Sequence, residues 1–158
     1  MNLDECFDRF QESAFRVEGL PSYSVEAEQS AISHFESTGK VPEGFNGDWS
    51  GFVRESLEAG KTVQRLRLQS DVPTSYEKFE LIAYGPGVRA GEEIRVALRA
   101  DHPYEEDFWL FDNQWWAVMH YSVDGYFIDA DVSEIGDKAR QIINYWLRIF
   151  TDSPLLGE

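Results

Sequence analysis

The sequence predicts an α+β fold in a single domain, a mostly antiparallel sheet of four to five strands covered by helices. Three observations point there. The stretch from Asp107 to Asp131 holds three apolar runs, Phe108 to Phe111, Trp115 to Tyr121 and Tyr126 to Ile128. The polar breaks Asp112-Asn113-Gln114 and Asp124-Gly125 separate them. Aromatic and β-branched residues between such breaks read as a strand meander with tight turns. Second, Thr62 to Gln69 and Glu92 to Ala100 alternate apolar with polar side chains, the period of a half-buried strand. Third, several segments repeat apolar residues at helical spacing, and these supply the cover that so many rings need.

Taken in order, Leu3, Phe7, Phe10 and Ala14 share one helical face, so the first helix is expected over residues 3–13. Phe15 to Gly19 alternates and reads as a short edge strand. Ser24 is a candidate cap for a second helix, carrying Val25, Ile32 and Phe35 and stopping near Gly39. Residues 41–47, with Pro42, Gly44 and Gly47, form a loop. Asp48 or Ser50 opens a third helix through Glu58, with Trp49, Phe52, Val53 and Leu57 as its stripe. After the strand 62–69, Pro73 and Thr74 open a helix that Gly85-Pro86-Gly87 ends. Ser133 then caps a final helix running to about Phe150, with Ile135, Ala139, Ile142, Ile143, Trp146 and Ile149 on its buried face. The domain is expected over residues 1–150, with 151–158 a frayed tail.

Composition narrows the class. Hydrophobic residues make up 42% and aromatic residues 15%, which excludes general disorder. The single cysteine, Cys6, has no partner for an internal disulfide. The N-terminus shows no signal-peptide pattern, and no apolar run approaches membrane-spanning length, so a cytoplasmic location is expected. The net charge of −15 argues against nonspecific binding to DNA or to an anionic membrane surface. That charge is unevenly spread: residues 1–60 carry −8, residues 61–100 carry +2 and residues 101–158 carry −9.

Known chemical motifs do not account for the chain. Gly60-Lys61-Thr62 has the ending of a phosphate loop, but position 55 is Glu55 rather than glycine, and the segment runs helix to strand. Gly85, Gly87 and Gly91 miss the dinucleotide spacing. The histidines His34, His102 and His120 are scattered, and a metal site at His120 would need Asp129 and Asp131 to converge on it. No Ser, Cys or Thr has a recognisable catalytic partner, so no catalytic residue and no cofactor are assigned.

The basic middle is more informative. Arg65, Arg67, Arg95 and Arg99 alternate against apolar residues in the two central strands. If the strands are neighbours with apolar faces aligned, four guanidinium groups share one sheet surface. Adjacent like charges destabilise a sheet unless neutralised. One answer is internal, with Asp112, Asp129, Asp131 or Glu80 reaching over. The other is a small anionic ligand such as a phosphate, nucleotide or RNA end, with Tyr76, Trp109 and Trp116 stacking a ring and Asp112 and His120 nearby. The acidic clusters at Asp4-Glu5-Asp8-Glu12, Glu105-Glu106-Asp107 and Asp129 to Asp137 raise a third possibility, a basic protein partner. The expected function is therefore a non-catalytic interaction or regulatory protein of the antitoxin, immunity or regulator-partner type. Anion binding, or a small enzyme using the arginine face, is the alternative.

Several strings together resemble a family of small actinobacterial proteins known as a domain of unknown function. They are Tyr23-Ser24 with Glu28, Ala59-Gly60-Lys61 leading to Arg65-Leu66-Arg67, Tyr76 to Glu80, Gly91-Glu92, Asp107 to Asp112 (DFWLFD), and Tyr121 to Gly125. The resemblance implies one cytoplasmic domain found near helix-turn-helix regulators. It assigns no activity and no catalytic residue.

Overall fold

The structure is a computed structural model that describes residues 1–156. One six-stranded mixed sheet runs in the order β3-β2-β1-β4-β5-β6. Its strands are β1 (Ser13–Glu18), β2 (Thr62–Gln69), β3 (Glu93–Leu98), β4 (Phe108–Phe111), β5 (Trp115–Tyr121) and β6 (Phe127–Glu134). β1, β2 and β3 are mutually parallel, whereas β1–β4, β4–β5 and β5–β6 pair antiparallel. The expectation of four or five mostly antiparallel strands is corrected to six in a mixed sheet. The reason is visible in the connections: long helical crossovers separate β1 from β2 and β2 from β3, and such crossovers join parallel strands.

The helices are α1 (Leu3–Arg9), α2 (Gln29–Thr38), α3 (Gly47–Glu58), α4 (Ser75–Ala83), α5 (Gly85–Ala90) and α6 (Asp137–Asp152), with a 3-10 turn at Glu26–Glu28 before α2. α6 lays Ala139, Ile142, Ile143, Trp146 and Phe150 on the sheet face made by Phe15, Val17, Leu66, Leu68, Phe108 and Leu110. The other face is covered at one end by α1 and α3, through Cys6, Phe7, Phe10, Trp49 and Phe52. Phe79, Ala83 and Tyr76 of α4 pack with Ala31 of α2 on the remaining helical layer. No helix among the described residues is long and apolar enough to cross a membrane.

Five local expectations need correction. The segment predicted as an edge strand is β1, third in the order and buried from Ala14 to Glu18. The first helix ends at Arg9 instead of running to residue 13, because the Asp112 carboxylate takes the backbone N–H groups of Gln11, Glu12 and Ser13. Gly85-Pro86-Gly87 opens α5 rather than ending the helical region. Proline is tolerated in a first helical turn, where its missing N–H has no partner to lose. β6 continues to Glu134, past the predicted cap at Ser133, so α6 starts at Asp137. Finally, residues 151–156 are not frayed: Leu155 bridges Arg95, Val96 N–H donates to Pro154 O at 3.1 Å, and Leu156 N–H donates to Ile94 O at 2.8 Å. Residues 157–158 of the expected tail lie outside the described residues.

Candidate functional site

The period of two in β1 and β2 decides what faces the helical layer of α1 to α5. In register, Arg16 stands beside Arg65 and Glu18 beside Arg67, while Arg16 also faces Trp109 of β4. Three guanidinium groups and one carboxylate thus share the middle of a buried surface. All four side chains are at least nine-tenths buried. Charges removed from water this far must be paired.

Four carboxyl groups do the pairing. Glu18 sits at the centre: its Oε2 accepts from Arg65 Nη1 at 3.0 Å and lies 3.9 Å from Arg16 Nε. Its Oε1 accepts from the Tyr84 hydroxyl. Arg65 Nε donates to Glu92 Oε2 at 2.9 Å, and Trp49 Nε1 holds the other oxygen of Glu92, also at 2.9 Å. Arg16 Nη1 is paired with Asp107, whose second oxygen takes the Tyr23 hydroxyl and, at 3.2 Å, the N–H of Gly19. Arg16 Nη2 also donates to the Tyr121 hydroxyl at 3.1 Å. Arg67 spends Nη1 and Nη2 on the carbonyls of Glu18 and Leu20, and its Nε lies 2.8 Å from Glu80 Oε1. That last approach is an ion-pair contact without hydrogen-bond alignment, so Glu80 Oε1 is a buried oxygen that accepts no hydrogen bond.

Glu80 reaches this place because α4 turns Tyr76, Phe79, Glu80 and Ala83 inward together. A capping box starts the helix: Thr74 Oγ1 accepts from Glu77 N–H, and Glu77 Oε1 accepts from Thr74 N–H. The two central glutamates are driven apart electrostatically. Burial opposes ionisation of Glu18, but Arg65, Arg67 and Arg16 outweigh it and hold the carboxyl down at about 2. Burial and the neighbouring charge of Glu18 push Glu80 well above the carboxylate range, against the pull of Arg67. The two carboxyls are thus shifted in opposite directions, and the negative charge is favoured on Glu18 over Glu80. Three guanidinium groups meet four carboxyl groups, Glu18, Glu80, Glu92 and Asp107.

Above this network lies a pocket of about 350 Å³. Arg16, Glu18, Arg65 and Glu80 form its floor, and Tyr23, Trp49, Tyr76, Tyr84, Tyr121 and Phe127 line it. Glu28 belongs to the same pocket; its carboxyl accepts from the Tyr76 hydroxyl at 3.0 Å, and burial raises its pKa in spite of that bond. Burial pushes the Tyr76, Tyr23 and Tyr84 hydroxyls up, and Tyr121 to about 12, so all four phenols stay protonated donors.

Of the residues singled out from sequence, Arg65, Arg67 and Tyr76 meet here, and the Trp109 ring lies 5.7 Å from the Arg65 guanidinium. The others go elsewhere. Arg95 pairs in register with Leu66, so it faces α6, where its guanidinium stands over the Phe150 ring and donates to Ser153 O at 2.7 Å. Arg95 also pairs with Glu93 at 2.8 Å, and both side chains are partly exposed to water. Arg99 lies past the end of β3 and pairs with Glu77 at 3.0 Å. The shared four-arginine face is therefore corrected to Arg16, Arg65 and Arg67. Asp112 is at the opposite end of β4, bound to backbone N–H groups that lower its pKa against the effect of burial. His120 is exposed on β5, opposite Asp129. Of the carboxylates expected to neutralise the arginines, Glu80 does so; Asp112, Asp129 and Asp131 do not.

Sequence reasoning missed Arg16 and Glu18, although Phe15-Arg16-Val17-Glu18 alternates in the same way as Arg65-Leu66-Arg67. It also missed Glu92 and Tyr84. Yet Tyr23, Glu28, Tyr76, Glu80, Glu92, Asp107 and Tyr121 all stand in strings that carry the family resemblance, and the pocket and its ion pairs are where these strings converge.

The family described as Domain of unknown function (DUF6879) matches residues 1–154. The chain belongs to that family. No curated protein matches the sequence. Among solved structures, the chain is similar to Nuc from Salmonella typhimurium, a phospholipase D family member. The two share 9% identity at a TM-score of 0.56, over 96% of this chain and 86% of that one. At that identity the likeness is one of fold alone. The site of this DUF6879 chain is thus defined by its own geometry.

Proposed function

We propose that this DUF6879 protein is a non-catalytic ligand-binding module whose pocket takes a small organic cation, and that occupancy is its regulatory signal. The observation that carries the reading is the charge of the pocket lining, three carboxyl groups (Glu18, Glu28 and Glu80) against two guanidinium groups (Arg16 and Arg65). A cationic ligand with N–H donors completes that balance. Two further features support the same polarity. Both arginines of the floor, Arg16 and Arg65, already have carboxylate partners, so a ligand anion would compete with Glu18, Glu92 or Asp107 for bound guanidinium groups. Two pocket carboxyls, Glu80 and Glu28, are pushed up chiefly by burial and further by the charge of Glu18, a cost that a bound cation relieves. Aromatic walls suit an organic cation through the negative faces of their rings.

Benzamidinium, a planar cation with paired N–H donors, is a suitable probe, with benzoate and inorganic phosphate as controls. Calorimetry is expected to show binding of benzamidine, and Glu80→Gln to weaken it about tenfold or more. Binding of benzoate or phosphate in preference to benzamidine, or undiminished benzamidine binding by Glu80→Gln, overturns the reading.

A further inference from the structure

The two ends of the sheet are treated differently. The β3 edge is occupied by the chain's own C-terminal segment, through Pro154, Leu155 and Leu156. The β6 edge pairs only with β5 among the described residues. It is eight residues long, and its sequence FIDADVSE contains no lysine and no proline, the residues that commonly blunt an edge. Phe127 and Ile128 are 52% and 62% exposed at its start.

We propose that β6 is a docking edge for an extended basic segment of a partner protein, which adds as a seventh strand. Backbone geometry sets the pairing. Ile135 N–H donates inward to Gln114 O, so alternation turns the N–H groups of Ala130, Val132 and Glu134 outward. Side-chain geometry sets the composition. Asp129 and Asp131 project on the face of His120 and Val118, while Ala130 and Val132 project on the other, with Met119 and Ala117. A strand alternating Lys or Arg with aliphatic residues places its cations beside the two aspartates and its apolar side chains beside Ala130 and Val132. A second copy of this chain is a poor occupant: β6 against β6 brings Asp129 and Asp131 of both copies together, on molecules that each carry −15. Phe127 belongs both to this edge and to the wall of the pocket, so a docked strand and a pocket ligand share one side chain.

The test uses the full chain and a labelled peptide of about ten residues alternating Lys and Val, with a Glu–Val peptide as control. Anisotropy is expected to show the Lys–Val peptide binding and the Glu–Val peptide not. The affinity should fall about tenfold or more between about 0.05 M and about 0.5 M salt. Amide exchange at Ala130, Val132 and Glu134 should slow on binding. Asp129→Lys with Asp131→Lys should abolish binding, and Val132→Pro, which removes an outward donor, should weaken it. Equal binding of both peptides, slowed exchange confined to other segments, or a β6-mediated dimer in sedimentation overturns the proposal. If Val132→Pro fails to fold, exchange on the unaltered chain still decides it.

Discussion

Glu18 and Glu80 are the same residue type a few ångströms of environment apart, and the protein shifts their pKa values in opposite directions. Glu18 has three guanidinium neighbours; Glu80 has one, and faces the charge of Glu18. This has a consequence for stability. Because the folded state raises the Glu80 pKa above its ordinary 4.5, it binds that proton more tightly than the unfolded chain does. That contribution is full below 4.5 and fades as pH rises through the raised value. Glu18 and Glu77 are lowered to about 2, so theirs is full above 4.5 and is lost as pH falls toward about 2. Wild-type melting temperature should therefore decline on both sides. Glu80→Gln, which mimics the neutral acid, should flatten the decline above 4.5 and leave the acid limb in place. An unaltered alkaline limb in a pH series of thermal melts counts against a protonated Glu80. Arg67→Ala is the complementary case, since it removes the cation paired with Glu80 in a buried site; a loss of about 3–5 kcal/mol in denaturant titration is expected.

At the scale of elements, small features hold the charged layer in place. Gly87 of α5 is one: a Cβ built there falls 2.6 Å from Glu92 Oε1 and 3.5 Å from the Trp49 ring. Gly87→Ala should push Glu92 off Arg65 and Trp49, lowering the melting temperature and quenching or shifting Trp49 fluorescence, whereas Gly47→Ala, which meets nothing within 4 Å, should spare both. The N-terminus of α4 is another, and Thr74→Ala should cost about 1 kcal/mol through loss of its cap. What the sequence made legible divides along these lines. Strand 62–69, the meander and the buried stripe of α6 were readable because their periods are local. The central place of β1 was not, since an alternating six-residue run reads alike at an edge and in the middle until its neighbours are known. The placement of Arg95 failed for the same reason: a one-residue choice of register between β2 and β3 moved it to the α6 face. The acidic ends of Asp107-Phe108-Trp109-Leu110-Phe111-Asp112 acquire a reason only in three dimensions. Asp107 binds Arg16, Tyr23 and Gly19 at the end of β1, and Asp112 binds the N–H groups that lead into its start.

For the whole molecule, the two sheet edges separate what the protein does alone from what it offers to others. The C-terminal segment is a structural part of the sheet, and its removal makes that testable. Ending the chain after Asp152 deletes two backbone hydrogen bonds to β3 and the carbonyl of Ser153 that holds Arg95. At about 0.5–1.5 kcal/mol for each of the three bonds, roughly 1.5–4.5 kcal/mol of stability should go. At roughly 2–4 °C per kcal/mol for a domain of this size, that corresponds to a fall in melting temperature of roughly 3–18 °C. The truncation also bares Ile94 O and Val96 N–H on a strand flanked by Leu98, which is 56% exposed, so self-association should rise with protein concentration. The β6 edge, kept apart from its own copies by acidic side chains, should remain monomeric throughout. Sedimentation of the full chain and the truncated chain side by side distinguishes the cases: a frayed tail would leave melting temperature and mass unchanged, whereas a tail that closes the sheet makes both shift together.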